Sequence, residues 1–293
     1  MRITESMITK SLLSSINNNR ESMHSIQETI TTGKEVDQSS DDPIQFYRAN
    51  RFRQGIKQNE QYLKNIQNAD SWLKSSSFNL ESMLSRVMNL RERAIQGAND
   101  SFSADDRLQM ASGIDNILED LVNIANESFL DKNIFSGTKT KIDDPFRFDG
   151  NSVSYHGNTG KISRRISENL KININVTGQD LLDTDMFNAA LSLRTSLIND
   201  DTNEISQIIG TIDSVSEKLI SLNTGIGTIQ QQLELAKNRL DTANMNLTSF
   251  LSDTEDVDLA KAITQYNSEE MAYQAALQST AKILRLNIMD FLK

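Results

Sequence analysis

A stripe of apolar residues with alternating three- and four-residue spacing runs through the second half of the chain. All fourteen positions of the stripe are apolar. This spacing holds one face of a helix against a partner helix, as in a coiled coil. Gly225 and Gly227 lie inside the stripe and predict a local weakening or a bend. The stripe consists of Ile205, Ile208, Ile212, Val215, Leu219, Leu222, Ile226, Ile229, Leu233, Ala236, Leu240, Ala243, Leu247 and Phe250.

A similar stripe in the first half of the chain predicts the partner helix. Ten of its fourteen positions are apolar, and the four polar ones interrupt the seam or specify its register. Asp42 can cap this helix, and Pro43 suits its first position. The stripe consists of Phe52, Ile56, Asn59, Leu63, Ile66, Asp70, Leu73, Ser77, Leu80, Leu84, Val87, Arg91, Ala94 and Ala98.

A third helix is predicted after Ser103, which forms a capping pattern with Asp106. Its apolar face is wide. Three long helices imply a bundle. The face includes Leu108, Ile114, Leu118, Leu121, Val122 and Ala125.

The helical period disappears between about residues 133 and 183. Apolar residues at 170, 172, 174 and 176 alternate with polar ones, which is the period of a half-buried strand. Asp149 and Gly150 separate two short apolar runs and predict a hairpin turn. We therefore expect a small antiparallel β domain over residues 136–183, inserted in the bundle and sharing no core with it.

Each end of the chain carries one thin apolar stripe. The first ends at Gly33, a suitable C-cap, and Ser252 with Glu255 resembles a capping box that would begin the last helix. A helix with one thin stripe has little stability alone, so the ends should pair with each other or with other copies. The predicted assembly residues are Ile8, Leu12, Ile16, Met23, Ile26, Leu259, Ile263, Tyr266, Tyr273, Leu277, Leu284 and Phe291.

These patterns predict a mainly α fold with a small β part, α+β overall. We expect an elongated, discontinuous helical bundle with paired terminal helices. The predicted divisions are a terminal assembly domain (1–40 and 253–293), a helical rod (41–135 and 184–252) and the inserted β domain (136–183).

Composition narrows the function classes. Apolar residues make up 37% and aromatic residues 6% of the chain, and 12 glycines and 2 prolines leave room for long helices. A formal net charge of −10 disfavours nucleic acid and anionic lipid as partners. No run approaches the length of a membrane span, so no membrane insertion is expected. The first twenty residues lack the apolar region of a cleaved signal peptide.

No motif predicts catalysis, a metal site or a cofactor. The chain has no cysteine, and His24 and His156 stand alone, without metal-ligand spacing. Acidic residues 253–258 lack the spacing and central glycine of a calcium loop. Arg48, Arg51 and Arg53 form a basic cluster, which is either a solvated helix face or a surface that pairs with an acidic neighbouring subunit.

Both ends resemble a known family. Residues 28–49 (ETITTGKEVDQSSDDPIQFYRA) resemble the N-terminal block of flagellar hook–filament junction proteins, also called hook-associated protein 3. Residues 255–292 resemble their C-terminal block, and residues 133–146 resemble the start of their variable domain. The resemblance spans essentially the whole chain.

The resemblance implies a structural subunit and not an enzyme. Such subunits form a ring by self-association between the preceding hook-associated protein and flagellin. It further implies type III export without a cleaved signal peptide, an export chaperone, and an extracellular place in the flagellum (periplasmic in a spirochaete). Two alternatives stay open: flagellin itself, and a helical adapter of type III secretion. Residues 40–43 (SDDP) and the tail at 288–292 differ from the flagellin pattern.

Overall fold

The fold is mainly helical, as predicted. The computed structural model describes the backbone of residues 5–291, together with the side chains of residue 7 and residues 10–282. The helices in this part are α1 (Glu5–Thr32), α2 (Pro43–Gly97), α3 (Ala104–Ala125), α4 (Gly178–Leu182), α5 (Met186–Ile198), α6 (Thr202–Glu255) and α7 (Leu259–Phe291). The strands are β1 (Phe146–Phe148), β2 (Val153–Tyr155), β3 (Ser163–Arg165) and β4 (Lys171–Asn173).

The chain divides into two compact units. One unit contains residues 59–242, and the other contains residues 1–58 together with 243–293. Across the described residues, no helix combines the length and the apolar run that crossing a membrane requires.

Local side-chain chemistry fixes the ends of three helices where the sequence predicts them. The Asp42 carboxylate accepts hydrogen bonds from the backbone N–H groups of Ile44 (2.8 Å) and Gln45 (3.0 Å), so Pro43 is the first residue of α2. Ser103 and Asp106 form both halves of a capping box at α3. Gly33 ends α1 with a φ of +71°, a conformation that glycine adopts without a steric penalty.

The unit of residues 59–242 is organised around the seam between α2 and α6. The stripe residues of both helices are buried or half-buried there, and Leu80, Val87, Ile212, Leu219 and Leu233 are among the most deeply buried. The predicted stripes are therefore confirmed in this unit. At the far end of the α6 stripe, Phe250 is 53% exposed. The helix continues through both glycines of the stripe.

Ser77 and Arg91, polar members of the α2 stripe, bond directly to α6. Ser77 Oγ donates a hydrogen bond to Asn223 Oδ1 (2.6 Å), and Arg91 Nε pairs with Asp213 Oδ1 (2.6 Å). Asp70 pairs instead with Lys74 of its own helix (2.8 Å). The Arg91 pair also raises the pKa of the guanidinium, chiefly through its hydrogen bond to Asp213. These bonds tie particular turns of α2 and α6 together.

Helix α5 was not predicted as a separate element. It packs against α3 and buries most of its apolar side chains, including Phe187, Ala190, Leu193 and Leu197. The helix is short, and Asn188, Ser192 and Thr195 are exposed on one face of it, so no long heptad stripe marks it in the sequence. Its burial adds a fourth helix to the core of this unit.

The strands form two antiparallel hairpins. Strand β1 pairs with β2 in the register Phe146–Tyr155, around the predicted turn at residues 149–152, and β3 pairs with β4. Ile172 and Ile174 are buried on alternate positions as predicted, whereas Leu170 is 48% exposed and lies outside β4.

The expectation that the strand segment shares no core with the helices is wrong. Phe146, Ile166, Ile172 and Ile174 belong to the same contiguous buried cluster as the helix residues. Asn126, just after α3, exchanges two 2.8 Å hydrogen bonds with the backbone of Phe146. Two-stranded hairpins are marginally stable alone, so their apolar faces are covered by the helices.

Candidate assembly interface

The unit of residues 1–58 and 243–293 contains the pair formed by the terminal helices. Helix α1 packs against α7. The half-buried face of α1 carries Leu12, Ile16, Met23 and Ile26. On α7 the covered face carries Ala262, Tyr266, Tyr273 and Ala276, of which Ala262 is 3% exposed. Four predicted residues of α1 and two of α7 thus lie on the seam within one chain.

The remaining predicted residues of α7 lie beside that seam. Leu259, Ile263 and Leu277 are 49%, 48% and 42% exposed, respectively. Ile263 and Leu277 each follow a seam residue by one position, and one position rotates the side chain by about 100°. We call these three residues the α7 stripe. The side chains of Ile8, Leu284 and Phe291 lie outside the described residues.

The seam between α1 and α7 includes polar groups. Asn19 of α1 and Glu269 and Glu270 of α7 are half-buried along it. A seam of this composition buries little apolar area, and buried apolar area is the main source of packing stability. Within this chain, the seam joins α1 to α7, and the α7 stripe stays exposed beside it.

A buried carboxylate holds the two chain connections of this unit together. Glu255 is 6% exposed, and its carboxylate pairs with the guanidinium of Arg53 and with Lys34 Nζ (3.4 Å). Beside it, the N–H of Glu35 donates to the Glu255 carbonyl (2.7 Å), and the N–H of Val257 donates to the Gly33 carbonyl (3.0 Å). We call Glu255, Lys34 and Arg53 the Glu255 clasp.

The predicted start of the last helix at Ser252 and Glu255 is wrong. Helix α6 continues to Glu255, and α7 begins at Leu259. Asp258 caps α7 by accepting hydrogen bonds from the N–H groups of Ala260 (3.0 Å) and Lys261 (3.1 Å). Glu255 does not cap this helix and forms the ion pairs of the clasp instead. Sequence reasoning missed the clasp because Arg53 and Glu255 lie about two hundred residues apart in the chain.

The three arginines of the basic cluster on α2 have different surroundings. Arg53 turns into the clasp, whereas Arg48 and Arg51 are exposed and make no ion pair with any described residue. Just before them, the Asp41 carboxylate accepts hydrogen bonds from the N–H groups of Gln38 (2.8 Å) and Asp37 (3.1 Å). These bonds lower the pKa of Asp41.

The side chains that sequence reasoning tested for chemistry have structural roles or none. Within the described residues, no group of three His, Asp or Glu side chains is placed to hold a metal ion. His156 Nε2 lies 3.3 Å from Ser154 Oγ in an exposed hairpin. Lys34 belongs to the clasp. The described residues thus define a class of protein: a helical protein whose paired ends present exposed apolar side chains.

Comparison with known proteins identifies the family. The sequence profile of the bacterial flagellin N-terminal helical region matches residues 3–140, and that of the flagellin C-terminal helical region matches residues 209–292. Together the two matches span well over half of the chain, which therefore belongs to the flagellin family. It is a component of the flagellum, and the family is structural.

Individual relatives match over most of their length. Flagellar hook-associated protein 3 of Escherichia coli is 23% identical over 322 aligned residues, which cover 100% of both chains. The flagellar filament 30.7 kDa core protein of Treponema maltophilum is 24% identical over 261 residues, 87% of this chain and 86% of that protein. The crystal structure of hook-associated protein 3 from Legionella pneumophila has a TM-score of 0.61 at 16% identity, covering 70% of this chain and 98% of that one.

Proposed function

We propose that this chain is a structural subunit at the junction between hook and filament of a bacterial flagellum, and that it has no enzymatic activity. The observation that carries its role in assembly is the α7 stripe, which stays exposed beside a seam that is already occupied. Its place at the junction is supported by the end-to-end likeness to flagellar hook-associated protein 3 of E. coli.

The proposed partners follow from this place. Copies of the chain form a ring between the preceding hook-associated protein and flagellin. The chain leaves the cell through the flagellar type III apparatus without a cleaved signal peptide and works outside the cell, or in the periplasm of a spirochaete. An export chaperone covers the α7 stripe beforehand, since exposed apolar patches associate non-specifically.

In this proposal each part of the chain has its own task. Residues 1–40 and 253–293 supply contacts between subunits, residues 41–135 with 184–252 supply stiffness, and residues 136–183 face outward or meet neighbours. Of the residues predicted for assembly, Leu259, Ile263 and Leu277 are those whose exposure supports contact with another subunit.

A second candidate, the filament subunit, is favoured by the likeness to the T. maltophilum filament core protein. A helical adapter of type III secretion is the third. Immunogold labelling of isolated flagella separates them. The junction role places label at one point beyond the hook, the filament role places it along the filament, and an adapter leaves the flagellum unlabelled. Cells without a junction subunit should carry hooks but no filaments and shed flagellin into the medium.

The assembly role of the α7 stripe is tested by Ile263→Glu. Because Ile263 is 48% exposed, the variant should melt within a few degrees of the parent, since exposed substitutions change stability little. In an assembled ring the same charge would be desolvated, so filament number should fall sharply. Lys261→Glu, also exposed on α7, is the matched control and should keep its filaments. Normal filaments on Ile263→Glu cells would remove the stripe from the assembly surface.

A further inference from the structure

The first turns of α2 carry an exposed patch with the composition of an interface core. Ile44 and Tyr47 are 67% and 64% exposed, and Arg48 and Arg51 are exposed beside them. Residues three, four and seven positions apart lie on one face of a helix, so these four side chains form one patch. Tyrosine and arginine are enriched at the energetic centres of protein interfaces. We call Ile44, Tyr47, Arg48 and Arg51 the α2 patch.

The Glu255 clasp fixes the direction in which the α2 patch points. Arg53 faces Glu255 of α6, and Arg51 precedes Arg53 by two positions. Two positions rotate a side chain by about 200°, so Arg51 lies on the side of α2 that faces away from α6. Consistently, Ala49 is fully buried on the opposite side of the helix.

The position of Glu255 likewise fixes the direction in which Asp253 points from α6. Asp253 precedes Glu255 by two positions, so it lies on the side of α6 that faces away from α2. Asp253 is exposed, as are Asp256 and Asp258, which follow in the turn before α7. Asp256 accepts a hydrogen bond from Ser252, and Asp258 caps α7, but both carboxylates keep an exposed surface. Asp253 and the α2 patch therefore face in opposite directions across the pair formed by α2 and α6 in this unit.

We propose that the α2 patch of one copy of this chain docks on the acidic turn (Asp253, Asp256 and Asp258) of the next copy. This inference rests on the proposed function and names the surface by which the ring would close. Surfaces on opposite flanks make a head-to-tail contact, which closes into a ring when the rotation between copies allows it. With a net charge of −10, the copies repel one another in general, so complementary patches are needed to direct the contact.

The natural absence of cysteine makes this contact open to a clean cross-linking test. The double variant Tyr47→Cys/Asp253→Cys is oxidised in intact flagella, and a ladder of covalent oligomers is expected. Each single variant should give monomer only, and Lys57→Cys/Asp253→Cys is the matched control. Lys57 is exposed but lies ten residues, about 15 Å, beyond Tyr47 on the same helix, so it should give no ladder.

A charge exchange supplies an independent measurement. Arg51→Glu alone and Asp253→Arg alone should each reduce the number of filaments per cell by about tenfold, because like charges then face each other. The combined variant should restore most of the filaments. If the cysteine variants fail to assemble, this exchange decides: no loss in either single variant, or no recovery in the combined one, overturns the proposal.

The outcomes separate this surface from the proposed function. Normal filaments without a ladder would overturn the surface and leave the junction role intact. A dimer from Tyr47→Cys alone would mean that the patch meets itself, which also overturns the head-to-tail contact. Absence of the protein from the hook–filament boundary would overturn both.

Discussion

Removing the charge of the Glu255 clasp should loosen the connections beside it. Glu255→Gln keeps the size of the side chain but leaves two cations without their carboxylate. The Glu255 side chain is 8% exposed, whereas those of Arg53 and Lys34 are 33% and 32% exposed. Breaking a fully buried ion pair costs about 3–5 kcal/mol, and a surface pair is worth about 0.2–1 kcal/mol. Because water reaches both cations here, we expect a cost of about 1–2 kcal/mol.

Amide hydrogen exchange measures this cost where it occurs. The N–H groups of Glu35 and Val257 bond to backbone carbonyls on the opposite connection, so both exchange only when the connections separate. A loss of 1.4 kcal/mol corresponds to a factor of ten, so exchange at these two amides should become about fivefold to thirtyfold faster. Amides of α3 should not change, since α3 belongs to the other unit.

The matched control is Glu217→Gln, which removes an exposed carboxylate from α6 and should leave both amides unchanged. Arg53→Met combined with Glu255→Gln should cost less than the sum of the two single changes, since both break the same pair. If the amides of Glu35 and Val257 exchange at the same rate in Glu255→Gln and Glu217→Gln, the clasp does not stabilise the contact between the two chain connections.

Three further predictions concern the other unit. Leu233→Asp places a charge at a position that is 1% exposed and should cost several kcal/mol in thermal unfolding, whereas exposed Gln231→Asp should cost far less; equal melting would contradict the seam. Replacing residues 136–183 by a Gly/Ser linker should lower the melting temperature and expose the core to hydrophobic dyes, because buried strand residues share that core; unchanged melting would show a separable domain. At Asp106, hydrogen bonds from the side chain and backbone of Ser103 lower the pKa below its unfolded value. The stabilisation of the folded state by the Asp106 carboxylate is therefore complete above about pH 4 and is lost as the pH falls through the lower folded-state pKa. Amide hydrogen exchange at the start of α3 should accelerate only in acid, and Asp106→Asn should abolish that acid dependence.

The long helices and their facing stripes could be predicted because their cause is local and periodic. A spacing that continues over fourteen positions leaves one helical face to bury, and Asp42, Pro43 and Ser103 mark their helix starts through bonds to backbone groups two or three residues away. The hairpin at residues 149–152 follows from the same kind of short-range chemistry.

The features that could not be predicted depend on contacts between segments that are distant in the sequence. Glu255 reads as a helix start because Ser252 stands three residues before it, and its actual partners, Lys34 and Arg53, belong to distant segments. Phe146 of β1 and Ile172 of β4 lie in segments with the strand period of a separate module, and only tertiary contact shows that they share the buried cluster of the helices. Periodicity likewise placed Ile263 and Leu277 on the terminal stripe but could not tell the side that meets α1 from the side beside it.

The polar bonds across the α2–α6 seam have a mechanical consequence. A stripe that repeats every seven residues would accept a slip of one heptad with similar apolar contacts. Such a slip would move Asp213 from Arg91 to a position opposite Leu84 or Ala98, and Asn223 from Ser77 to Asp70 or Leu84. Setting a carboxylate against an apolar side chain is unfavourable, so axial shear between the helices meets a barrier at each polar pair. Under torque, the polar pairs should therefore resist sliding of α2 along α6, which apolar contacts alone would permit.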